Sequence, residues 1–193
     1  MKRIINAIIV VFIFPLAISA CAAPPTEEMQ RARDAVTRAE NDADAVAYAG
    51  NTVVHARDAL TRMQDEADSK NYETAKEFAI EAINSANKAI ADGQSAKERS
   101  KTEASALLDS VQNSLAETSS AINNARNVPD IQLDFNTLTQ RTDEARNTYG
   151  EAQQNFQDGN NQDAIAKGQS VRGELSDINT TINEAAFDTS RKK

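Results

Sequence analysis

From Met29 onward, apolar residues recur at alternating spacings of three and four, the period that keeps one face of a helix apolar. Met29, Ala32, Val36, Ala39, Ala43 and Val46 form the first seam, with Thr26 as N-cap candidate and Glu27 and Glu28 in the first turn. Gly50-Asn51-Thr52 predicts a break, Gly ending one helix and Asn or Thr capping the next. Val53, Ala56, Leu60, Met63 and Ala67 form a second seam, closed by Ser69-Lys70-Asn71, with Asn71 as the cap of a third helix. The third seam is made of very small residues: Ala75, Ala79, Ala82, Ala86, Ala89, Gly93 and Ala96. A bulkier stripe of Phe78, Ile83 and Ile90 runs beside it. Small residues let helix axes approach closely but bury less apolar area than Leu, which the helix propensity of Ala offsets in part. Narrow packing and modest stability are expected.

No Pro interrupts the chain from Asn71 to Val128, and Ala104, Leu108, Val111, Leu115, Thr118, Ile122 and Ala125 continue the period. A single helix over that span would reach about 80 Å, with Gly93 as the expected bend. Asn127-Val128-Pro129-Asp130 predicts a turn. Ile131, Phe135, Leu138, Thr142, Ala145, Tyr149, Ala152 and Phe156 form the next seam, and Asp158-Gly159-Asn160-Asn161 a second reversal. Ala164, Gly168, Val171, Leu175, Ile178, Ile182 and Ala185 mark the last helix. No segment sustains the two-residue alternation of a strand. The fold class is all-α: an elongated antiparallel bundle of coiled-coil hairpins with one long central helix.

A faint internal echo accompanies the pattern. Asn71 is followed by Ala75, Ala79 and Ala82, and Asn160 by Ala164, Gly168 and Val171, at matching offsets. Upstream, Ala56 and Leu60 match Ala145 and Tyr149. Two copies of a helical hairpin would give this echo, and so would any two heptad helices with polar turns. If the repeat is real, its units are residues 26–93 and 94–188, followed by a frayed basic tail, 189–193.

Composition narrows the function. The 193 residues carry 21 Lys and Arg against 29 Asp and Glu, a net charge of −8, with one Cys, one His and no Trp. One thiol excludes an internal disulfide scaffold, and so few Cys and His exclude zinc-finger, zincin and Cys/His triad chemistry. With 5% aromatics the chain cannot fill a wide core. The acidic balance argues against nucleic acid as a partner, because phosphate neutralisation needs a basic face.

The N-terminus is an address. Met1-Lys2-Arg3 is basic, and Ile4 to Leu16 is apolar apart from Asn6, with Pro15 near its end. A basic start, an apolar run and a small-residue end make a secretory signal. The run falls short of the ~20 residues of a spanning helix. Ile18-Ser19-Ala20-Cys21 resembles the bacterial lipobox, and the whole segment is similar to a lipoprotein precursor. The resemblance implies removal of residues 1–20 as a signal peptide. It also implies a thioether diacylglycerol and an N-terminal acyl chain on Cys21, with residues 21–25 as a lipidated tether. Ala22-Ala23, in place of an Asp, implies the outer membrane with the body in the periplasm, or the cell membrane in a host with one membrane. Each buried methylene contributes ~0.8 kcal/mol, so several chains anchor durably where one would not. Loss of Lys2 and Arg3 leaves 19 basic and 29 acidic residues, a charge of −10 that should hold the body off an anionic lipid surface.

Two further resemblances follow. Asn71-Tyr72-Glu73-Thr74-Ala75-Lys76-Glu77-Phe78-Ala79 resembles helical hairpins of tetratricopeptide type. The wider stretch from Met29 to Ala91 is similar to bacterial lipoproteins carrying domain of unknown function 4398, which implies an envelope helical domain and supplies no catalytic residue. Two departures from that family are the missing Pro at the break and the lack of an OmpA-type peptidoglycan-binding domain in residues 94–193. The terminal Arg191-Lys192-Lys193 resembles the basic end of Braun-type murein lipoproteins, which implies Lys193 as a site of peptidoglycan attachment; a solvated basic tail is the alternative.

Side-chain chemistry is sparse. His55, between Val54 and Ala56, fits a seam edge better than a ligand or base. Asp42 with Asp44, and Asp65 with Glu66 and Asp68, are carboxylate clusters that fit a cation or acid-base pair, but also the solvated face of an amphipathic helix. Asp158-Gly159-Asn160 lacks the Gly and acid of a calcium loop, Asp163 and Gln169 standing there instead. No phosphate-cradling loop, dinucleotide fingerprint or nucleophile elbow occurs. The expectation is a non-enzyme without cofactor or metal: a lipid-anchored helical module that works by contact with an envelope protein. The alternatives are a wall tether through Lys193 and a small-ligand carrier. Small-residue seams also suit pairing between copies of the chain.

Overall fold

The structure, a computed structural model, describes residues 23–191; the expected signal segment, Cys21, Lys192 and Lys193 lie outside the described residues. The fold of the described chain is all-α, with α1 (Thr26–Asn41), α2 (Ala43–Asp68), α3 (Tyr72–Arg126), α4 (Phe135–Gln157) and α5 (Asn161–Arg191). Helix α3 runs 55 residues without interruption, as the absence of Pro from Asn71 to Val128 allows. The seams of α3, α4 and α5 face inward: Ala75, Ala79, Ala82, Ala86 and Ala89 are fully buried, as are Val111, Thr118 and Ile178.

Those seams close two separate cores. Ala32, Val36, Ala39, Ala56 and Met63 meet the alanines of α3 from Ala79 to Ala89 in one. Leu107, Leu108, Val111, Leu115 and Ile122 meet Leu138, Tyr149, Val171, Leu175 and Ile178 in the other. Helix α3 therefore belongs to two three-helix bundles in succession, one with α1 and α2 and one with α4 and α5. Glu28 lies 3.7 Å from Lys76 at the start of α3, whereas Ala45, just past the end of α1, lies against Gly93. Helix α1 thus runs parallel to α3. Helix α5 does the same in the second bundle, where Gly168 abuts Leu107 and the amide of Asn179 donates to the Thr118 hydroxyl at 2.8 Å.

The first break falls earlier than the sequence suggested. Helix α1 stops at Asn41, and Asp42 is extended, its carboxylate accepting from the Ala45 N–H at 2.8 Å as the N-cap of α2. Gly50, Asn51 and Thr52 are helical instead, and the expected break survives only as a distortion at Ala49 (φ −131°, ψ 29°). The seam changes phase at Asp42, so Ala45 and Ala49 are buried while Val46 is 52% exposed. A side chain that captures an otherwise unpaired N–H outweighs a glycine whose conformational freedom is not used. Two smaller expectations shift too. Thr26 lies inside α1 with Pro25 before it, and Asn71 precedes α3 but gives its amide to Glu66 rather than to the helix.

Gly93 is not a bend. Helix α3 continues through it, and a Cβ there would stand 2.6 Å from the Ala45 nitrogen and 2.7 Å from the Ala45 Cα. The glycine lets the entry of α2 lie directly on α3. Nor is the last stretch frayed as far as it is described: α5 reaches Arg191, whose guanidinium sits 5.6 Å above the Phe187 ring.

The two hairpin turns share one hydrogen-bond pattern. Lys70 N–H donates to Ala67 and Asn71 N–H to Glu66, while Gly159 N–H donates to Phe156 and Asn160 N–H to Asn155. Each pair satisfies carbonyls left open at a helix end, and the turning residue is left-handed in both, Lys70 at φ 63° and Gly159 at φ 80°.

Asp134 caps α4. Its carboxylate accepts from the Thr137 N–H at 3.1 Å, the Thr137 hydroxyl at 2.8 Å and the Asn136 N–H at 3.0 Å. Those bonds, Thr137 first, hold the Asp134 pKa below the usual carboxylate value. A lowered pKa stabilises the fold above the unfolded-state value of about 3.9, and the contribution is lost as pH falls through the folded value. Asp134→Asn should therefore lower the melting temperature at neutral pH and reduce its further decline below about pH 4. Thermal melts by circular dichroism across that range check it; an unchanged acid limb contradicts the capping role.

Candidate functional sites and their geometry

The sequence singled out two terminal residues and several internal groups. Cys21 and Lys193 fall outside the described residues. The chain enters α1 at Thr26, whose N–H donates to the Pro24 carbonyl at 2.8 Å. Because α1 and α5 both run parallel to α3, Thr26 lies beside the start of α3 and Arg191 just beyond its end. A 55-residue helix rises about 80 Å, so the described termini stand at opposite ends of a rod.

His55 is an exposed residue at the edge between α2 and α3, with Nδ1 3.3 Å from the Ser85 hydroxyl and Nε2 3.8 Å from Glu81. The acids at the head of α2 are each engaged: Asp42 caps the helix, and Asp44 receives the Lys97 ammonium at 2.9 and 3.1 Å. At its far end Glu66 accepts the Asn71 amide at 2.7 Å, while Asp65 and Asp68 are exposed. Among the described residues no group of three His, Cys, Asp or Glu side chains is placed to hold a metal ion. Asp158 caps the end of α4 and accepts from the Gln154 amide at 3.0 Å.

One cavity was not visible in the sequence. A cleft of about 260 Å³ lies between the bundles, where Asp44, Tyr48 and Lys97 face Asn160, Asn161 and Asp163 across a gap. Asn161, at the start of α5, is only 3% exposed. The hydrogen bond and charge of Asp44 raise the Lys97 pKa. The cleft offers hydrogen-bond donors and acceptors in one place, but the ammonium and carboxylate on its first-bundle wall are spent on each other. No signal in the chain pairs Asp44 with a lysine 53 residues away.

Comparison with known proteins finds a likeness over the first bundle. Residues 27–105 match the family model of a domain of unknown function, DUF4398. The DUF4398 match covers α1, α2 and α3 as far as the segment between the two cores; α4 and α5 lie beyond it. No curated protein and no solved structure matches the chain. Among the described residues no helix is long and apolar enough to cross a membrane.

Proposed function

We propose that this protein is a lipid-anchored helical module of the bacterial envelope that acts by protein contact and spacing rather than by catalysis. One observation carries the reading: the only Cys of the chain directly follows Ile18-Ser19-Ala20 at the end of a basic-then-apolar segment. The rod suits such an anchor. Residues 21–25 extend at most about 18 Å, so acyl chains on Cys21 would hold the Thr26 end near a bilayer. The remaining length would carry the second bundle up to about 80 Å outward. The charge of −10 after processing favours that upright stance over lying on anionic lipid.

Cys21→Ser is the test. The wild-type chain should incorporate labelled palmitate and fractionate with envelope lipid, and the variant should lose the label and move to the soluble fraction. A variant that sediments with lipid in unchanged amount overturns the anchor.

A second reading is favoured by the opposite placement of the described ends. Arg191 closes α5 at the end away from Thr26, so a Lys193 linked to peptidoglycan would make the rod a tie between bilayer and wall. Mass spectrometry of muramidase-digested sacculi should then recover a muropeptide on Lys193. Recovery of the unmodified C-terminal peptide alone overturns the tie and leaves the anchor untouched.

A further inference from the structure

Buried residues recur along α3 every three or four positions from Ala75 to Gly93 and again from Ala104 to Ala125. Between them none is buried: residues 94–103 are half-buried or exposed throughout. Ala96, which the sequence pattern put in the seam, is only half-buried, and Lys97 beside it and Ser100 a turn on are polar. Lys97 turns its charge to Asp44. The Ser100 hydroxyl is buried without a hydrogen-bond partner.

Little packs alongside it: the head of α2 reaches Lys97 through Asp44, and α5 only begins at Asn161, beside the cleft. No Cα of α1 or α2 lies within 8 Å of a Cα of α4 or α5, so among the helices only α3 joins the bundles. An open cleft lies beside Lys97, with Asp44 and Tyr48 on one side and Asn160, Asn161 and Asp163 on the other. This stretch is held mainly by its own backbone hydrogen bonds, with few tertiary contacts beyond the Lys97–Asp44 pair, and most helical stability in a folded chain comes from packing of an apolar face. Its local opening should cost far less than opening of the packed parts. The charges do little to stiffen it: Arg99 and Glu103 attract at a four-residue spacing, a small effect at exposed positions, and Lys97 is already paired with Asp44.

We propose that residues 94–103 of α3 are a hinge about which the two bundles move as rigid units, opening and closing the cleft between Tyr48 and Asn161. The motion changes the angle between the halves of the rod while both cores stay intact. It is independent of whether Cys21 is lipidated.

Two measurements on the full chain test it. Amide hydrogen exchange should be at least about tenfold faster in residues 94–103 than in 79–92 and 107–122. Spin labels on exposed Thr61→Cys and Thr180→Cys, with Cys21→Ser so that no other thiol reacts, report the distance between bundles. Thr61→Cys with Glu77→Cys, and Gln140→Cys with Thr180→Cys, report distances within each. The distribution between bundles should be at least about twice as wide as either control, as expected when the joining segment has little tertiary packing. Uniform protection along α3 overturns the hinge, and so does a distribution as narrow as the controls.

Discussion

Gly93→Ala should destabilise the first bundle by about 1–3 kcal/mol, although Ala is the better helix former by about 1 kcal/mol. The added methyl would stand 2.6 to 2.7 Å from three backbone atoms, the nitrogen and Cα of Ala45 and the carbonyl carbon of Asp44. Backbone cannot rotate away as the end of a side chain can, so the whole head of α2 must shift. That shift strains the Asp42 cap and the Asp44–Lys97 pair together. Gly150 and Gly173 supply the contrast, since nothing lies within 4 Å of a Cβ at either. Gly150→Ala and Gly173→Ala should each raise stability by about 0.5–1 kcal/mol. Urea unfolding followed by circular dichroism separates the cases. A stabilised Gly93→Ala protein would show that the close crossing does not exist.

Ile178→Ala should cost the second bundle about 2–5 kcal/mol, the usual range for emptying a fully enclosed aliphatic site. Ile178 is inaccessible to solvent and packs within the core of Val171, Leu175 and Tyr149. The two cores share no buried side chain, so the loss should appear as faster exchange in α4, α5 and the end of α3, with α1 and α2 nearly unaffected. Gly93→Ala should show the reverse. Loss of protection spread evenly from α1 to α5 would mean that the bundles unfold as one, and that α3 couples them more tightly than its thinly packed middle implies.

The sequence pattern revealed faces better than it revealed corners. Every seam residue from Ala104 to Ala125 is buried, because a three-four period fixes which side of a helix is apolar whatever packs on it. The first corner lies at Asp42, ahead of the glycine that the pattern points to. Gly50 carries the stronger break signal, but Asp42 makes the turn by binding the Ala45 N–H, and the resulting change of phase moved the seam from Val46 to Ala45. Gly93 shows the same blindness: in one dimension a glycine that bends a helix and a glycine that admits a crossing backbone look alike. Of the candidate sites, His55 and the acidic clusters could be placed on faces beforehand. The pairing of Asp44 with Lys97 could not, since periodicity gives the side a residue faces but not the axial register between distant helices. Cys21 and Lys193 are legible only as sequence motifs.

The parallel course of α1 and α5 along the shared helix has a mechanical consequence. A pull applied at Thr26 and Arg191 along the rod draws α1 one way past α3 and α5 the other way. Such a load slides whole rows of interlocked side chains at once instead of peeling them apart one turn at a time. Many weak contacts between small residues then resist in concert, and tensile strength grows with the length of overlap rather than with the size of any side chain.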